Sequence, residues 1–96
     1  MKIEITELTK KEAIRLSRDL ADFNPVKCYN CGNKKGIVQR FFLLNSPASE
    51  ENHEKIKRAL IKKFGLTYYG FDNEEDKVIT SAKCPDCDGE KMEWEY

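Results

Sequence analysis

Apolar and polar positions alternate over residues 2–6, with Ile3 and Ile5 on one side, which predicts a short strand. Thr9-Lys10-Lys11-Glu12 then has the form of a helix capping box, with Leu8 and Ala13 spaced to staple the helix start. Ala13, Leu16, Leu20 and Phe23 follow at helical spacing, widened by Ile14 and Ala21, until Asn24-Pro25 stops the run. Residues 37–44 are apolar enough for a strand at the centre of a sheet. Ser46-Pro47 reads as an N-cap with proline at the first helical position. The helix behind it carries Ile56, Leu60, Ile61 and Phe64 on one face and ends at Gly65, a left-handed cap followed by Leu66. Residues 66–71 and 77–82 read as a hairpin around the acidic turn 72–76. At the end, Met92, Trp94 and Tyr96 alternate with charged residues, as in a half-buried edge strand. No repeat or linker divides the chain, so residues 1–96 are expected to form one α+β domain, with two helices and a small mixed or antiparallel sheet.

Composition bounds the chemistry. A chain of 96 residues lies near the lower end of what one core stabilises, and such chains often recruit a metal or disulfides. MKIEITELTK has no continuous apolar stretch of the kind a secretory leader needs, and no apolar run approaches a membrane span. A cytoplasmic protein is therefore expected, where paired cysteines serve more often as metal ligands than as disulfides. Formal net charge is zero but unevenly spread. Residues 1–40 hold nine Lys/Arg against five Asp/Glu, whereas residues 72–96 hold three against nine. The basic half thus suits an anionic partner, and the acidic end does not.

Four cysteines stand as two tight pairs, Cys28-x-x-Cys31 and Cys84-x-x-Cys87, the two-plus-two pattern of a tetrahedral site. Two intervening residues let one turn aim both sulfurs at one ion while backbone N–H groups face them. Gly32 and Gly89 are expected to supply the unusual backbone angles, and Pro85 fixes one dihedral in the second turn. The 52 residues between the pairs exceed the usual spacing, which an inserted helix and hairpin would explain. Two other readings stay open on the sequence. Disulfides suit the lysine- and glutamate-rich composition of heat-stable proteins, whose cytosols tolerate them. A redox dithiol would want a cysteine at a helix N-terminus, whereas strand-like sequence follows both pairs.

Cys84-Pro85-Asp86-Cys87-Asp88-Gly89, leading into a strand with an aromatic residue, resembles the second knuckle of zinc ribbons and rubredoxin-like folds. Asp88 stands where those families usually have glycine. Cys28-Tyr29-Asn30-Cys31-Gly32 is similar to their first knuckle. The resemblance covers about a fifth of the chain and implies a zinc-ribbon-like four-cysteine site joining two CxxC knuckles, with Cys28, Cys31, Cys84 and Cys87 as ligands. Zinc is expected, with iron the alternative, because four thiolates suit either and zinc needs no redox role. Four sulfurs leave no open coordination position, and the chain has no phosphate-cradling loop, nucleophile elbow or paired-carboxylate motif. A non-enzyme of binding or adaptor type, without a small-molecule substrate, is the expectation.

Lys27, Lys34, Lys35 and Arg40 cluster around the first knuckle beside Tyr29, a mixture that contacts phosphates and stacks bases in nucleic-acid-binding domains. The plain alternative is that these residues only pack and solvate the turn. A second basic stretch, Lys55, Arg58, Lys62 and Lys63, lies on the second helix, where Glu51 and Glu54 are spaced to pair with Lys55 and Arg58. His53, the single histidine, aligns with the apolar stripe of that helix and reads as a partly buried structural residue. Two rivals to nucleic acid remain: a protein partner engaged by the acidic C-terminal face, and a rubredoxin-like electron carrier.

Overall fold

The computed structural model describes residues 2–71 and 75–95. Its order is β1 (Ile5–Leu8), α1 (Lys10–Leu16), a 3-10 turn (Arg18–Asp22), β2 (Asn24–Cys28), β3 (Val38–Leu44), a second 3-10 turn (Glu50–Asn52), α2 (His53–Phe64), β4 (Val78–Lys83) and β5 (Met92–Glu95). The architecture is α+β, with antiparallel strands in two sheets, β1-β3-β4 and β2-β5.

β3 is central, as its apolar run predicts. Phe42 and Leu44 face a cluster with Ile5, Ile56, Leu60, Leu66 and Ile79, which seats α2 on one face of the sheet. Phe41 and Leu43 face the other way, toward Ala13, Leu20 and Val78, which seats α1 there. A strand covered on both faces must be apolar at successive positions, and VQRFFLL is so at its buried end.

α1 begins as predicted. The Thr9 hydroxyl accepts from the Glu12 N–H at 3.2 Å, and the Glu12 carboxylate accepts from the Thr9 N–H at 3.1 Å. Leu8 packs against the cluster containing Ala13. The long apolar stripe does not hold: α1 ends at Leu16, which is 58% exposed. Ser17 breaks out to an extended conformation, and its hydroxyl donates to Asp76 Oδ2 at 3.3 Å, so the chain turns and Leu20 reaches the core from a 3-10 turn. The Ala21 side chain lies outside the described residues.

Three further expectations are corrected. The Ser46-Pro47 start is too early, since Ser46 is buried, a 3-10 turn intervenes and α2 begins at His53. On α2, Ile56 and Leu60 are buried while Ile61 is exposed, and Gly65 ends the helix with φ 68° as expected. Residues 66–71 form no strand beyond one bridge between Gly70 and Thr80. Side chains occupy the backbone groups a ladder would need: Glu90 accepts from the Thr67 and Tyr68 N–H groups, and the Ser81 hydroxyl donates to the Tyr68 carbonyl. Most of the acidic turn, residues 72–74, and Tyr96 lie outside the described residues. Among the described residues no helix is long and apolar enough to cross a membrane.

The strand that pattern reading missed is β2. It pairs with β5 through a bulge between Pro25 and Lys27, and the bulge accommodates a proline that has no N–H to give a ladder.

Candidate metal centre

The two hooks adopt one backbone conformation. In the first, the Cys28 N–H donates to the Asn33 carbonyl at 2.8 Å and the Gly32 N–H to the Cys28 carbonyl at 2.8 Å. In the second, the Cys84 N–H donates to the Gly89 carbonyl at 2.9 Å and the Asp88 N–H to the Cys84 carbonyl at 3.0 Å. Gly32 and Asp88 hold equivalent places, four residues after the leading cysteine, and both have positive φ, 79° and 58°. The left-handed residue of the second hook is therefore Asp88, not Gly89 as expected. Gly89 is required for space, since a Cβ there would lie 3.2 Å from Cys87 Sγ, 3.3 Å from Asn30 Cβ and 3.4 Å from Cys28 Sγ.

Neither hook is the tip of a hairpin. β2 enters the first and pairs with β5, which leaves the second; β3 leaves the first and pairs with β4, which enters the second. This crosswise pairing brings together two motifs 52 residues apart. The four sulfurs all lie within 4.8 Å of one another, with Cys28–Cys87 at 3.6 Å and Cys31–Cys84 at 3.5 Å. A tetrahedral ion with metal–sulfur bonds of about 2.3 Å needs sulfurs about 3.8 Å apart, so the donor set fits one thiophilic ion. All four are free thiols, and no helix follows either pair. Cys28 and Cys84 are buried among Ala82 and Met92, while Cys31 is exposed.

No family profile, curated protein or solved structure matches this chain.

Donors converge on the cluster. Burial pushes the Cys84 thiol up, but N–H groups of Cys87 and Asp86, the Asn33 amide at 3.6 Å and the Cys31 thiol outweigh it and bring it down to about 6. Cys87 is lowered by the Asn30 side chain and the Gly89 N–H. The Asn33 N–H pulls Cys31 down, yet the facing sulfurs of Cys84, Cys87 and Cys28 together with burial push it up to about 12. The surroundings thus favour charge on the Cys84 sulfur and disfavour it on Cys31. Such a pocket favours a cation over scattered protons.

The other residues expected near the first knuckle separate. Tyr29 is 64% exposed, and Lys34 and Lys35 are exposed on the loop beyond it. Lys27 is the cross-strand partner of Glu93, which places it on the opposite face of β2-β5 from Cys28 and Met92. Arg40 forms a two-point ion pair with Glu7, Nε to Oε2 at 2.9 Å and Nη2 to Oε1 at 2.8 Å, and its guanidinium lies over Phe42 and Phe64. His53 is exposed, and its Nδ1 lies 2.6 Å from the Tyr69 hydroxyl. Neither Glu51–Lys55 nor Glu54–Arg58 closes to an ion pair among the described residues.

Reading the sequence missed Asn33, Asn30 and Glu90. Asparagine beside a CxxC is a signal for sulfur-facing donors, whereas nothing near Glu90 points to residues 67 and 68.

Proposed function

We propose that this protein is a non-catalytic binding domain whose fold is stapled by one zinc ion on Cys28, Cys31, Cys84 and Cys87. The observation that carries this reading is the convergence of four sulfurs within 4.8 Å of one another from two distant hooks. Zinc would supply a closed tetrahedral node, with no open position for substrate. A reducing compartment such as the cytosol suits four unpaired thiols. Elemental analysis of the purified protein tests the assignment, with one zinc per chain expected; thiolate-to-iron absorption in the visible would assign an electron carrier instead. Cys84→Ser should lose both metal and cooperative unfolding, because the folded state alone presents all four ligands. A metal-free variant as stable as the parent would overturn the stapling role.

The partner proposed is nucleic acid, met through Tyr29, Lys34 and Lys35 of the first knuckle. What supports it is the exposure of these three side chains together on one loop, while Lys27 and Arg40 have acidic neighbours of their own. Retention on heparin that weakens steeply with salt is the expected result. A protein partner has one observation in its favour, the exposed acids Asp86, Asp88, Glu93 and Glu95. It becomes the better reading if heparin and single-stranded RNA are not retained at low salt.

A further inference from the structure

Beside the metal centre, a cleft of about 360 Å³ opens between the edges of β4 and β5. Tyr29, Tyr68 and Trp94 line it, with Lys91 and Glu90. Tyr29 and Tyr68, at 64% and 48%, are the exposed aromatic residues among those described. Among the described residues no ring contact joins Tyr29, Tyr68 or Trp94 to one another, and the exposed rings of Tyr29 and Tyr68 reach solvent. The volume lies at the small end of ligand sites, which run from about 300 to 1,000 Å³, and suits one planar group.

The charges at the cleft are not equivalent. Glu90 accepts from the Thr67 N–H at 2.7 Å, the Thr67 hydroxyl at 2.9 Å and the Tyr68 N–H at 3.4 Å, so three donors already face its carboxylate. Lys91 has only an aromatic face, its Nζ lying 5.7 Å from the Tyr68 ring centroid. The Tyr29 N–H bonds the Lys91 carbonyl at 3.0 Å, which joins the cleft to the knuckle loop bearing Lys34 and Lys35. On the floor, Thr80 exchanges both backbone bonds with Gly70 across the β4 edge. Ala82, two residues on, turns its N–H and carbonyl the same way, and the bridge stops short of it. Aromatic side chains and a cation at the rim are therefore gathered in one place.

We propose that this cleft takes an unpaired base of single-stranded nucleic acid, stacked among Tyr29, Tyr68 and Trp94, with Lys91 meeting the adjoining phosphate. The proposal rests on the nucleic-acid reading above and names the place and the strandedness of the ligand. A quaternary or protonated amine fits less well: it would meet Lys91 already over Tyr68 and no free carboxylate. An apolar peptide side chain would leave Lys91 without a counter-charge. A duplex fails because its base faces are covered by their neighbours.

Trp94 is the only tryptophan, so its emission reports on this cleft and on the cysteine cluster it packs against, and metal content is measured alongside it. The full chain as purified is titrated at low salt with a fluorescently labelled single-stranded octauridylate, read by Trp94 emission and by label anisotropy. Saturable quenching with the same midpoint by both readouts is expected. Tyr68→Ala should weaken binding by roughly 5- to 150-fold, the effect of one lost stacking contact. Tyr68→Phe should bind as the parent does. Lys91→Met should lower the slope of log affinity against log salt by about one. Unchanged metal content and circular dichroism establish that each variant is folded, and Lys91→Met provides the comparison if Tyr68→Ala fails to fold. Anisotropy binding without a Trp94 response, or with Tyr68→Ala equal to the parent, overturns the cleft while the nucleic-acid reading stands. No binding by either readout overturns both. Equal quenching by uridine monophosphate reassigns the cleft to a free nucleotide, and quenching by a trimethyllysine peptide reassigns it to a cation.

Discussion

Asp88 and Gly32 occupy the same turn position, and this pair gives the sharpest test at the residue scale. A residue with a Cβ pays about 1–2 kcal/mol in the left-handed region, with aspartate among the better tolerated. Gly32→Ala should therefore destabilise by about 1 kcal/mol, whereas Asp88→Gly should be neutral or stabilising by up to about 1 kcal/mol, both measured by urea unfolding of the metal-loaded protein. Gly89→Ala should instead weaken metal binding in competition with a chromophoric chelator, because its new methyl would crowd two sulfurs. The thiols make a second prediction with a definite sign. At pH 7.5 Cys84, lowered to about 6, is already a thiolate, while Cys31, raised to about 12, still holds its proton. Metal binding should therefore release fewer than four protons but more than none, measurable by calorimetry in buffers of different ionisation enthalpy, and affinity should fall as pH drops through 6. The cysteine cluster was legible in the sequence because CxxC spacing is a local chemical signature. The left-handed Asp88 was not, because glycine nearby offered a better residue for the angle and the angle fell elsewhere.

Elements show where local pattern suffices and where it is overridden. The capping box on α1 was readable because both its bonds close within four residues. Thr9→Ala should cost about 1 kcal/mol in urea unfolding, a large effect for a helix of seven residues. The pair of β1 and β3 is tied at its surface by Arg40 and Glu7, whose side chains are 31% and 43% exposed, so solvent screening keeps its contribution small. The Arg40 hydrogen bond, helped by its charge, holds Glu7 below its ordinary value of 4.5. Because the folded-state value is depressed, this contribution is present above pH 4.5 and is lost as pH falls through the lower folded value. The stability difference between the parent and Arg40→Met should accordingly shrink between pH 7 and pH 3. Residues 66–71 have the composition of a strand, but Glu90 and Ser81 bind their backbone first. Glu90→Ala should abolish hydrogen-exchange protection at the Thr67 and Tyr68 amides and leave β3 unchanged.

Across the whole molecule, the four-cysteine cluster joins two sheets that are otherwise unequal. The β1-β3-β4 sheet has apolar clusters on both faces, whereas the buried residues beneath β2-β5 are Cys28, Ala82, Cys84 and Met92, two of them members of the cysteine cluster. Chelation should therefore remove amide protection from β2 and β5 well before β3, observable by hydrogen exchange with and without a strong chelator. Unfolding would then lose its single cooperative transition, as expected when a staple is removed from one half of a small domain.

The sequence by itself determined the α+β class, the apolar centre of β3, the α1 cap, the Gly65 stop and the four cysteines. Each of these depends on residues a few positions apart or on a composition no alternative can bury. Only the tertiary structure decided that the hooks are joined crosswise rather than by hairpins, that β2 exists, that Ser17 ends α1, and that Lys27 and Arg40 leave the first knuckle. It also decided that Tyr68 and Trp94 meet Tyr29 across one cleft. These outcomes depend on partners distant in the chain, where hydrogen-bond competition and shared burial, not local periodicity, set the free energy.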